Sequence, residues 1–316
     1  MTTLGKYRHL SRCSTPNGHF SILAIDHRAI LLESLNKHAP QPLTDAQFTS
    51  FKQQVVGALA PHASAVLVDP GYGIGAGIAS QTISGQVGLL SPVEVTEYNV
   101  HPSLRPIQFI EGWSVEKIKR VGGDGVKMLL YYHPEAAEVQ AKHEAVQRII
   151  EDCRRYDLPF FLEPIPYSLD INTALTNTEI RQISVSMAET FSDMGVDVLK
   201  MQFPTGSDDE REWVSACAEL NAACRVPWAL LSAGVSFETF LRQAEVACDA
   251  GASGVIVGRA VWAEAVTLQG AERAHFIQTT GIERMQALAA VCAQNASPWF
   301  IRTDKPDHAM NWYESY

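Results

Sequence analysis

The stretch VDVLKMQF, residues 196–203, decides the reading of this chain. Val196, Val198 and Leu199 belong in a buried strand, yet Lys200 falls at its end, where packing gives no reason for an ammonium group. Working outward, the pattern recurs. ILAID ends in Asp26, AVLVD in Asp69, and GVKMLLYY carries Lys127. PFFLEP carries Glu163, WALLSAG carries Ser232, and GVIVGRA carries Arg259. Eight short apolar runs result, at roughly 20–26, 64–69, 87–92, 125–130, 158–163, 196–202, 227–232 and 254–258. Parallel strands that deliver polar groups at one end define a (β/α)8 TIM barrel with its active site on that face.

The intervals between runs support this. DAQFTSFKQQVVGAL (45–59) follows Thr44, a suitable N-cap. SVEKIKRVGG, EAVQRIIEDCRRYD, EIRQISVSMAETFSDMG, EREWVSACAELNAAC and FETFLRQAEVACDAG are amphipathic at helical spacing. Alternation of strand and helix predicts right-handed parallel units. An open doubly wound sheet is the competing fold, but it would gather its polar groups at one switch point rather than spread them over most strands. Residues 70–112 are harder to place. They accommodate a short helix, the third strand and a long loop, with RPIQFI (105–110) as an extra strand or part of that loop. No internal repeat or domain boundary is visible, so residues 1–316 are expected to form one barrel with an aromatic tail from about 300.

The 316 residues are 46% hydrophobic and 19% charged, with formal net charge −10. That acidity argues against nucleic acid or an anionic membrane as partner. It leaves room for a phosphorylated small molecule bound by a local basic cluster. No run reaches the roughly 18 apolar residues of a membrane span, and the N-terminus lacks a signal-peptide core. Six cysteines without a CxxC pair read as reduced, buried thiols, which places the chain in the cytoplasm. The ten histidines show no metal-ligand spacing, so no metal is expected. GYGIGAG (71–77) imitates a dinucleotide loop, but Pro70 breaks the required strand-to-helix turn, so no nucleotide cofactor is expected.

Lys200 reads either as a lysine snorkelling to the barrel mouth or as an amine nucleophile that forms a Schiff base with a ketone. At an ordinary pKa of about 10.4 only about one lysine in 2500 is neutral at pH 7, and tuning it to about 7 takes roughly 4–5 kcal/mol. Lys127, inward on the fourth strand, is the candidate second cation for that tuning. Glu163, on the strand between them, could neutralise Lys127 or shuttle protons. Asp26 and Asp69 could orient the lysine or bind hydroxyls, although a strand-end Asp is often only a turn residue. Arg28 is a candidate anion ligand. Ser232 and Gly234 after the seventh strand, with Gly258 and Arg259 after the eighth, have the chemistry of a phosphate cradle.

Taken together, LAIDHRA, ASAVLVDPGYG, VKMLLYYHPE, PFFLEPIPYS, GVDVLKMQFP, LLSAGVSFETF and SGVIVGRAVWA resemble the class I tagatose 1,6-bisphosphate aldolase family. The related sulfofructose-phosphate aldolases share much of this pattern. The resemblance runs from about residue 7 to Trp299. It implies metal-free, cofactor-free cleavage of a ketose phosphate, with Lys200 as the Schiff-base residue and Glu163 as proton shuttle. Lys127 and Asp26 are implied as their polar partners, and Ser232 and Arg259 as ligands of the phosphate nearest the ketone. His27 and Arg28 occupy positions that reach the far end of the sugar. The implied substrate is tagatose 1,6-bisphosphate, giving dihydroxyacetone phosphate and glyceraldehyde 3-phosphate. The alternatives are 6-deoxy-6-sulfofructose 1-phosphate and, from another class, a non-catalytic sugar-phosphate sensor. The tail is expected to dock on the barrel or on another subunit, which leaves a homo-oligomer open. Two departures stand out: His27 where the family usually has Gln, and Gln202 where it usually has Glu.

Overall fold

In the computed structural model, which describes residues 2–96, 100–314 and 316, eight parallel strands close into a barrel. They are β1 (Phe20–Ile25), β2 (Ala65–Val68), β3 (Gly88–Pro92), β4 (Gly125–Tyr132), β5 (Phe160–Pro166), β6 (Val198–Met201), β7 (Trp228–Leu230) and β8 (Gly254–Val257). Each pairs with its neighbours in sequence, and β1 pairs with β8. All eight expected strands are present, each within about three residues of its expected bounds.

Strand alternation divides the apolar residues into two sets. Phe20, Ile22 and Ala24 of β1 point inward and pack with Leu67, Leu90, Phe161, Val198, Ala229 and Ile256. Leu23 and Ile25, one residue out of phase, join the second core between strands and helices, with Val66, Val68, Phe48 and Val55. Leu10 and Cys13 of the helix Leu4–Cys13 pack into the inner set together with Trp299, and so close the end opposite the site. β1 and β8 approach closely at Gly254. Its φ is +130°, and an added Cβ would fall 1.9 Å from the Phe20 carbonyl oxygen, so only glycine fits.

Local signals set the helix bounds. Thr44 accepts from the Gln47 amide in a capping box that opens Asp45–Leu59. Thr176 and Glu179 form the same box on Asn177–Met194, and Gly195 ends that helix in the left-handed region. Residues 70–112 resolve into a helical turn Pro70–Ile74, a short helix Gly75–Ala79, β3, and a two-stranded antiparallel ribbon, Glu94–Val95 with Gln108–Phe109. RPIQFI thus supplies an extra strand, although only two residues of it pair. Part of the connection, 97–99, lies outside the described residues. The tail keeps Trp299 buried, and the Tyr316 hydroxyl accepts from the Gly5 amide, so it docks back on its own N-terminal helix. All six cysteines are buried and unpaired, and no helix among the described residues is long and apolar enough to cross a membrane.

Candidate active site

The inward parity of each strand, continued past the apolar layer, places the polar residues at the C-terminal mouth. On β4 the inward residue above Gly125 is Lys127; on β5, above Phe161, it is Glu163; on β6, above Val198, it is Lys200. The three strands are neighbours. Register puts Glu163 opposite Leu129, so Lys127 starts two residues lower and reaches up on its four-carbon stem. All three are buried: Lys127 is 3% exposed, Lys200 5% and Glu163 7%. Glu163 Oε2 lies 3.0 Å from Nζ of Lys127 and 3.0 Å from Nζ of Lys200. Lys127 also donates to Asp26 Oδ2 at 2.9 Å and to Glu94 Oε1 at 2.8 Å.

Among the described residues, three carboxylates therefore surround Lys127. The second cation expected from the sequence is present, but its charge is largely offset locally. Its stronger effect is on the carboxylates. Burial alone would raise Asp26 and Glu163, yet the two ammonium groups hold both below the ordinary carboxylate range, Asp26 far below it. Glu94 goes the other way: burial pushes it up and Lys127 only partly opposes. Sequence reading missed Glu94. Its signal was parity, because the inward series Leu90, Pro92, Glu94 runs on past the expected end of the strand.

A cavity of about 210 Å³ opens above this cluster. Lys200, Glu163 and Gln202 line one side, and Ser232, Gly258 and Arg259 the other, with His27 and Tyr131 also in its lining. Ala233 and Gly234 both have positive φ, +47° and +84°, in a tight turn closed by the Val235 amide on the Ser232 carbonyl. Gly234 backs directly on Arg259: an added Cβ would sit 3.5 Å from its guanidinium. The loops after β7 and β8 thus lie side by side. A larger groove of about 600 Å³ lies outside the mouth along residues 39–54, with Arg273 the one charged residue lining it.

Asp26 and Lys127 lie beneath the cavity rather than lining it. Arg28 turns away from it: Nη2 donates to the Glu94 backbone carbonyl at 2.7 Å. Asp69 also sits apart. It ion-pairs with the fully buried Lys52 and accepts from the Tyr72 amide at 2.8 Å, so it is a turn residue with a buried counter-ion.

His27 packs edge-on against Trp262, with ring centroids 5.6 Å apart. Its Nδ1 is buried without a hydrogen-bond partner among the described residues. Burial pushes the imidazole down from 6.5 to about 4; Asp26 opposes this, and Arg259, Lys200 and Lys127 add to it. It is therefore neutral at pH 7 and offers an N–H rather than a charge. NMR of the His27 ring should show a midpoint near 4 and flat shifts from pH 6 to 8; a midpoint near 6.5 would refute the burial argument. Because the folded value is depressed, His27 contributes stability above about pH 6.5 that is lost as pH falls towards 4. Asp26 and Glu163, also depressed, lose theirs at lower pH, in the same direction.

A closed parallel barrel with a lysine–carboxylate cluster at its mouth defines the class: a TIM-barrel enzyme built for chemistry at a carbonyl. Residues 20–264 match the model of the DeoC/LacD family aldolase. The chain is 35% identical to tagatose 1,6-diphosphate aldolase 2 of Enterococcus faecalis, over 95% of its own length and 97% of that relative. It is 33% identical to tagatose 1,6-diphosphate aldolase 2 of Streptococcus mutans, over 93% and 96%. Among solved structures it resembles an archaeal fructose-1,6-bisphosphate aldolase with its catalytic Lys covalently bound to the carbinolamine intermediate, at TM-score 0.61, 21% identity, and 90% and 98% coverage. It also resembles the fructose-bisphosphate aldolase of Slackia heliotrinireducens, at TM-score 0.62, 14% identity, and 96% and 92% coverage. The chain belongs to the DeoC/LacD aldolase family.

Proposed function

We propose that this protein is a class I aldolase that reversibly cleaves tagatose 1,6-bisphosphate to dihydroxyacetone phosphate and glyceraldehyde 3-phosphate. The observation that carries this reading is the Lys200–Glu163 contact of 3.0 Å, buried beneath a cavity whose other wall is Ser232 and Arg259. The names of the sequence relatives point to the substrate.

Arg259, Ser232 and the Ala233–Gly234 turn hold the phosphate nearest the ketone and set the C2 carbonyl over Lys200. The ammonium of Lys200 passes a proton to Glu163, which is held ionised by Lys127 and so is ready to accept it. The amine adds to C2, and Glu163 returns a proton to the carbinolamine hydroxyl, which leaves as water. The resulting iminium draws electrons from C3. As Glu163 takes the C4 hydroxyl proton, the C3–C4 bond breaks, C4 leaves as an aldehyde and its electron pair forms the enamine. Protonation at C3 and hydrolysis return Lys200 and release dihydroxyacetone phosphate. His27, neutral, and Gln202 face the sugar as uncharged donors. The buried, unpaired thiols suit a cytoplasmic enzyme.

Borohydride added with dihydroxyacetone phosphate should reduce the iminium to a stable secondary amine. Peptide mass spectrometry should place the adduct on Lys200. An active preparation that acquires no adduct, or acquires it elsewhere, would refute the mechanism.

A further inference from the structure

Glu94 lies two residues beyond β3, on the ribbon strand Glu94–Val95, and is buried. It is held from both ends. Its carbonyl oxygen accepts from Arg28 at 2.7 Å, and its Oε1 accepts from Lys127 at 2.8 Å. Among the described residues its Oε2 is buried with no hydrogen-bond partner, and Oε1 is the oxygen that meets Lys127. It does not line the cavity above Lys200. Arg28 follows Asp26 in sequence, so the same clasp ties the ribbon to the loop that carries the second carboxylate on Lys127.

We propose that Glu94 is a positioning residue for the cleavage reaction, fixing the Lys127 ammonium at the point where it faces Asp26 and Glu163 together. The inference rests on the aldolase reading, because it acts through Glu163 as proton carrier. A lysine stem is flexible, with four rotatable bonds, and starts a layer below Glu163. Without the Glu94 carboxylate, it would lean more on Asp26 and Glu163. With Glu94 in place, it is shared by Glu94 with Asp26 and Glu163. Glu94 thus sets how strongly Lys127 favours the ionised form of Glu163. Among the described residues, the other charged groups at this point are Lys200 from β6, and Arg105 and Lys142, which line a small cavity beside Glu94. Arg105 lies over the Tyr131 ring, and Lys142 is held by Glu138 and the Tyr167 hydroxyl. His27 stands near Asp26 but is neutral above about pH 5.

Glu94→Gln keeps the shape and removes the charge. Lys127 then acts more strongly on Glu163, making it a weaker base. We expect kcat to fall about tenfold or more, a part of the roughly 10²–10⁴ that a placed proton carrier contributes. The acid limb of the pH–kcat profile should move to lower pH while KM stays within about twofold of wild type, because Glu94 does not line the cavity. Glu94→Asp keeps the charge on a shorter stem. Its acid limb should stay near the wild-type position and its kcat should lie between those of wild type and Glu94→Gln. It also carries the test if the Gln variant does not fold. Wild-type kcat and limb in Glu94→Gln would overturn the proposal. So would equal losses in both variants with unmoved limbs, the mark of a merely structural role. Borohydride trapping of the wild type separates the two failures: no adduct on Lys200 refutes the aldolase mechanism itself, whereas an adduct with an unmoved limb refutes only the role of Glu94.

Discussion

Lys200→Met should reduce kcat by on the order of 10⁴-fold or more and abolish borohydride trapping, since it removes the nucleophile on which the covalent route depends. Met fills nearly the same volume, so the barrel should keep its fold and its circular dichroism. The loss is large because the iminium is the electron sink for C3–C4 cleavage. Without it, charge would build on an enolate oxygen that meets no oriented cation. Lys127 does not substitute: Asp26, Glu94 and Glu163 hold it at 2.8–3.0 Å, and it does not line the cavity. Binding of dihydroxyacetone phosphate should weaken only a fewfold, because Ser232 and Arg259 are untouched. Steady-state kinetics and calorimetric titration decide this. Residual activity above about one per cent of wild type would show that the barrel cleaves its substrate by another route.

Lys52→Met should lower folding stability by about 3–5 kcal/mol, the usual cost of leaving one member of a buried ion pair unpaired. Lys52 is fully buried on the helix Asp45–Leu59, where it donates to the Ile25 carbonyl at 3.1 Å and ion-pairs with Asp69. Asp69 would keep only the Tyr72 amide, at 2.8 Å. Its carboxylate would then stay charged without a counter-ion or take up a proton, and either costs free energy. Adding Asp69→Asn should recover most of the loss. The amide oxygen can still accept from Tyr72, and no net charge remains to be buried. Urea titration of the wild type, single and double variants checks this. A single variant within about 1 kcal/mol of wild type would show that Asp69 finds another partner.

The barrel was legible because its strands are largely buried and therefore read as apolar runs, and because period-two alternation carries Lys127, Glu163 and Lys200 inward. The adjacency of Ser232 and Arg259 was legible for a similar reason. Two glycine-containing loops follow the last two strands, and closure of the sheet necessarily brings them side by side. Glu94 escaped notice because Val93 and Glu94 continue the inward–outward alternation of β3 after the apolar run has ended. Arg28 was read as a ligand because a charge beside Asp26 has no partner in sequence; the Glu94 carbonyl that takes it is 66 residues away. Asp69 looked like its counterpart Asp26, and only the helix carrying Lys52 shows that it is balanced from outside the barrel.

The sequence by itself determined the eight strands and their order, since apolar runs and alternation are local properties of the chain. Tertiary structure decided which charges neutralise which. Lys127 is shared among Asp26, Glu94 and Glu163, which lie on three different strands or the loops that follow them, and the balance sets the proton affinity of each. Electrostatic energy depends on distances of about 3 Å between residues remote in sequence, and only closure of the barrel creates those distances.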